Sequence, residues 1–83
     1  MRFVHDIPHP QFRIGLYAWN GKYIVKIDAG PYEQTYKISE MDIAGGTDDV
    51  QAMLDEPFLA AVAARFQAMD RDWQETGDRN EVL

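Results

Sequence analysis

His5, Asp6 and His9 are the residues of this 83-residue chain that come nearest to a metal site. Imidazole and carboxylate are both metal ligands, and two histidines with one carboxylate can hold iron. The local sequence weighs against it. The three lie in "VHDIPHP", where each proline removes a backbone donor and biases the residue before it toward extended geometry. Such an arm does not array ligands as a helix face does, and no second acid cluster lies beside it. The reading expected here is a solvated arm with two ordinary histidines. A small metal-dependent protein built on this arm is a lower-ranked alternative.

Three further constellations carry simpler explanations. Ser39 is the only serine, and the surrounding "KISEMD" resembles a strand end, not a G-x-S-x-G nucleophile elbow. Gly45-Gly46-Thr47 precedes a helix start, where free amides could hold an anion. A phosphate loop needs lysine after its last glycine, whereas here Asp48 and Asp49 follow Thr47 and would repel phosphate, so a flexible loop and a helix cap fit better. The acid pairs Asp48-Asp49, Asp55-Glu56 and Asp70/Asp72 lack the spacing of a calcium loop and suit solvated helix faces. With no cysteine, disulfides, thiolate metal sites and thiol nucleophiles drop out together. No catalytic residue, metal site or cofactor is assigned, and the expectation is a non-enzymatic protein.

The strongest candidate is a surface. Tyr17, Trp19 and Ile24 fall together when the hairpin is drawn, with Lys22, Lys26 and Lys37 around them. Tryptophan and tyrosine are common anchors of protein interfaces. Rings among lysines are also how some sheets stack single-stranded bases. The bland explanation is cover from within the chain, by the N-terminal arm or by lysine stems draped over the rings.

The elements that would position this surface follow from spacing. Asn20-Gly21 is the hairpin signal of a type I′ turn, which needs positive φ at both central residues. It pairs Trp19 with Lys22, Tyr17 with Ile24 and Arg13 with Asp28. Alternation then makes one face apolar, with Phe12, Ile14, Leu16, Ala18, Tyr23, Val25, Ile27 and Ala29. The other, mixed face carries the candidate residues. Gly30-Pro31 allows a II′ turn or a longer loop, and 32–39 supplies a third strand with Gln34 as the one polar residue on the apolar side. In the C-terminal half, Thr47 or Asp48 can cap a short helix, and Asp55 or Glu56 a long one opened by Pro57. Leu59, Val62, Phe66, Met69 and Trp73 recur at helical spacing, with Gly77 as the expected stop.

The fold expected is α+β: a three-stranded antiparallel β-meander, with a short fourth N-terminal strand allowed, followed by two helices. The long helix packs on the apolar sheet face. The chain reads as one domain over 1–83, with an arm at 1–11, the meander at 12–39, helices within 47–75 and a frayed tail at 76–83. Net charge is −6, with the residues from 40 onward carrying eleven acids against three arginines. That sign opposes long-range attraction to nucleic acid and anionic lipid. No apolar run is long enough to span a membrane and the start has no signal-peptide pattern, so a soluble cytoplasmic protein is expected. No motif points to a characterised family. The leading functional expectation is a small protein-interaction module. It would self-associate, for example as a homodimer, through the aromatic and lysine face or through a sheet edge. Single-stranded nucleic-acid binding on the same face ranks below it.

Overall fold

The computed structural model describes residues 1–82. It is an α+β fold: four antiparallel strands in sequential order, followed by two helices. The strands are β1 (Arg2–Ile7), β2 (Arg13–Trp19), β3 (Lys22–Ala29) and β4 (Tyr32–Ser39); the helices are α1 (Gly46–Met53) and α2 (Glu56–Arg79). A single 3₁₀ turn over Glu40–Asp42 links sheet to helices, with the Ser39 hydroxyl accepting from the Met41 amide at 3.2 Å. The only serine is therefore a cap.

Turn chemistry sets the register. Asn20 and Gly21 have φ of 53° and 73°, the two left-handed residues of a type I′ turn, and Trp19 pairs with Lys22. Gly30, at φ 59°, precedes Pro31, and Ala29 pairs with Tyr32 across them, as a II′ turn requires. The proline-containing arm supplies the fourth strand. β1 pairs with β2 and does not fold over a sheet face. The register shifts between Phe3 and His5, so a bulge at Val4 changes which residues of β1 share a face.

Both helices lie on the apolar face. Ile14, Leu16, Val25 and Ile27 from the sheet meet Val50 of α1 and Val62 and Phe66 of α2 in one core, joined by Ile7 at the edge. The Phe12 ring packs against Phe66 with centroids 5.4 Å apart. Gln34 faces this core and is satisfied there. Its amide nitrogen donates to the Val62 carbonyl at 2.9 Å, and its oxygen accepts from the Tyr36 hydroxyl at 2.6 Å.

Three details differ from expectation. α1 has Gly45 at its N-cap, with neither Thr47 nor Asp48 capping; the Asp49 carboxylate reaches back to accept from the Gly45 amide at 2.9 Å. α2 runs through Gly77 to Arg79, so the segment from 76 is helical where a frayed tail was expected. It ends in a Schellman motif: Glu81 has φ 57°, its amide bonds Asp78, and the Val82 amide bonds back to the Gly77 carbonyl at 2.8 Å. The last residue of the expected tail, Leu83, lies outside the described residues. Trp73 belongs to the helical stripe by spacing, yet it is 59 % exposed. The cap of α2 does match: Asp55 accepts from the Phe58 amide at 3.0 Å, with Pro57 in the first turn.

Candidate interaction surface on the outer sheet face

Because the helices occupy one face, the other is roofed only by its own side chains among the described residues. Period-two alternation puts Tyr17, Trp19, Lys22, Ile24, Lys26 and Lys37 there, as the paired registers require. Tyr17 lies over Gly15, where a Cβ would come within 3.0 Å of the ring, so the glycine lets the tyrosine lie against the sheet. Lys26 Nζ stands 5.2 Å from the centroid of the same ring, a cation–π distance.

Two members of this set differ in kind. Trp19 is 52 % exposed, whereas Ile24 is 1 % exposed. Ile24 sits opposite Tyr17 on one side and Lys37 on the other, with Lys22 and Lys26 two residues away along its strand. Rings and lysine stems therefore close over it. Ile24 is the floor of the surface, and a partner would touch what covers it.

The bulge at Val4 adds a residue that the sequence reading placed in the arm. Phe3 pairs with Tyr17, its ring edge-on to the tyrosine at 5.5 Å and 67°. It is also half exposed. The aromatic patch is thus Phe3 and Trp19, both half exposed, together with the partly buried Tyr17. The signal for Phe3 was the alternation within "RFVHDI", obscured by the extra residue.

At the far end of this face the charges are mixed. Arg13 pairs with Asp28, and Asp28 in turn faces Glu33 across β3 and β4. Partial loss of solvent raises the Asp28 carboxyl above the usual carboxylate range. The Glu33 charge and a side-chain hydrogen bond with Glu33 push the same way, against the pull of Arg13 and Lys26. A raised carboxyl means that the folded state prefers the neutral form. The resulting deficit in stability is present at neutral pH. It fades as pH falls through the Asp28 titration and is gone below the unfolded value. Asp28→Asn is therefore expected to stabilise the protein at neutral pH by about 0.3 kcal/mol, a small figure because the pair is solvent-screened. Urea midpoints for the two proteins should converge on acidification. A loss of stability at neutral pH would show that the Arg13 pairing outweighs the repulsion.

Among the described residues, the candidate ligands of the arm do not converge. His5 and Asp6 are consecutive strand residues and point to opposite faces; His5 Nε2 lies 3.3 Å from Gln51 Oε1 of α1. The His9 ring stacks on Phe12 at 4.9 Å, and its Nδ1 accepts from the Gln11 and Phe12 amides at 3.1 and 3.2 Å. Among the described residues, no three His, Cys, Asp or Glu side chains group to hold an ion. Ser39 on β4 and His5 on β1 belong to opposite edges of the sheet, three strand spacings or about 14 Å apart, and His9 lies in the β1–β2 connection, stacked on Phe12. Gly45 and Gly46 serve the start of α1, where the nearby carboxylate of Asp49 already takes the free amide.

A comparison with protein-family models found no match, and neither did comparisons with curated proteins and with solved structures. Among the described residues, no helix is long and apolar enough to cross a membrane.

Proposed function

We propose that this chain is a protein-interaction module that self-associates, and that the outer sheet face is its contact surface. The reading rests on one observation: three aromatic side chains, Phe3, Tyr17 and Trp19, share a sheet face on which neither helix packs. Exposed aromatic patches of this kind, rimmed by polar groups, mark interaction sites. Small size adds a motive. A chain of this length buries only about 60–65 % of its unfolded surface, so covering a face with another copy adds stability that its own core cannot supply.

Nucleic acid is the second use such a face could have, because the rings and Lys22, Lys26 and Lys37 suit stacked bases and phosphates. The net charge of −6 opposes it.

Solution mass by size-exclusion chromatography with light scattering, at tens of micromolar, tests the proposal. The wild type is expected above monomer mass. Trp19→Glu, at a half-exposed site, is expected to return it to a monomer with an unchanged circular dichroism spectrum. A wild type that stays monomeric at every concentration removes self-association. If salt-sensitive tryptophan quenching by a single-stranded oligonucleotide then appears, the face belongs to the second reading.

A further inference from the structure

Self-association through the outer face leaves open what seats on it, and a second feature of the fold bears on that. α2 outruns the sheet. At 24 residues it is about 36 Å long. Near the end of the sheet Asp70 accepts from the Tyr32 hydroxyl at 2.8 Å, and the helix continues to Arg79. Trp73 stands on this overhang with more than half its surface in solvent. It borders a cleft of about 580 Å³ shared with Pro31, Tyr32 and Met69. The Schellman turn brings Val82 back beside Trp73, so two apolar side chains stand together at the tip of the helix.

The charges around the two patches are opposite. Residues 70–81 carry five acids, Asp70, Asp72, Glu75, Asp78 and Glu81, against Arg71 and Arg79. The outer-face rings are bordered by Lys22, Lys26 and Lys37. Stacking the ring-bearing end of the face on its own copy would bring three lysines of each together, which like-charge repulsion disfavours, although Asp28 and Glu33 lie at the far end of the same face. Seating the acidic tip on the lysine-bordered, ring-bearing end of the face places the charges in complement and buries tryptophans from both sides.

We propose that the partner of the outer face is the Trp73-bearing tip of α2 from a second copy, in a head-to-tail contact. This rests on the self-association reading above. Such a contact is heterologous: a copy bound through one patch keeps the other free, so assembly proceeds to a closed ring, of two copies or more, or to an open chain.

Two full-length variants test it by mixing. Trp19→Glu with Lys26→Glu disables the face; Trp73→Ala with Asp72→Lys disables the tip. Trp19, Trp73 and Asp72 are exposed and Lys26 is only partly covered, and circular dichroism checks that both variants fold. Light scattering at tens of micromolar is expected to show each variant alone as a monomer, weakened in association by about tenfold or more as for a hot-spot tryptophan. An equimolar mixture is expected to give a dimer and nothing larger, because one intact face meets one intact tip. Added salt should weaken the mixed dimer. A tip variant that assembles like the wild type overturns the head-to-tail contact while leaving self-association standing. A mixture that remains monomeric, with both proteins folded and the wild type assembling, also overturns it. A wild type that never assembles removes the underlying reading instead.

Discussion

Leu16→Ala is expected to cost about 3–4 kcal/mol, which takes most of the stability a domain of this size has. Leu16 is fully buried in β2, with β1 and β3 on either side and the helices above. Its neighbours are stiff strand residues, Ile14, Val25 and Ile27, which close poorly over a cavity. The melting temperature should fall by roughly 15–20 °C. Ile24→Ala makes the comparison informative, since Ile24 is as well buried by area. Its roof consists of lysine stems and rings on the outer face, which can settle into the gap. That substitution is expected to cost about half as much, near the lower end of the range for isoleucine truncation. Denaturant midpoints with unchanged slopes would decide it. Equal costs would mean that the outer face is as rigidly packed as the core, and that its rings are structural.

The same contrast explains how much of the site could be read from the sequence. The faces of the sheet were legible because two turns, Asn20-Gly21 and Gly30-Pro31, permit few registers, and one register assigns every side chain to a face. What period-two reasoning could not supply was depth. It placed Ile24 and Trp19 together, whereas the fold buries one and exposes the other, because a central strand residue is roofed by neighbours on both sides and a residue beside the turn is not. Phe3 was missed because one bulged residue at Val4 breaks the alternation.

Helical spacing had the opposite weakness. It identified the stripe of α2 from Leu59 to Met69, and those residues do face the core. Periodicity cannot report where the surface beneath a helix ends. Trp73 continues the stripe beyond the sheet, so the residue that looked like core is part of an exposed knob. Gly77 looked like a stop because glycine favours helix ends. The termination instead uses Glu81 in the left-handed region, a role in which glycine would be less strained.

The second large effect concerns Gln34, the one polar side chain buried in the core among the described residues. Gln34→Glu exchanges an amide for a group of nearly the same shape and removes one donor. The Val62 carbonyl, which now receives the Gln34 N–H at 2.9 Å, would face a carboxylate oxygen. The Tyr36 hydroxyl could still donate to the other oxygen, supported by Arg65, whose Nη1 lies 3.2 Å from that hydroxyl. One hydrogen bond to a buried charge does not offset two opposed acceptors and the desolvation of the carboxylate. The substitution is expected to cost about 3 kcal/mol at neutral pH. The sign of its pH dependence follows from the donor count. A protonated carboxyl can donate to Val62 as the amide did, so the folded state holds the proton more tightly than the unfolded chain. The deficit relative to wild type is therefore full above the folded-state titration, shrinks as pH falls through it, and is smallest below the unfolded value of about 4.3. Urea midpoints of the two proteins, compared at matched pH, should approach each other on acidification. A gap that stays constant with pH would mean that the new side chain leaves the core and takes its charge to solvent, and that the Gln34 to Val62 bond does little to hold β4 against α2.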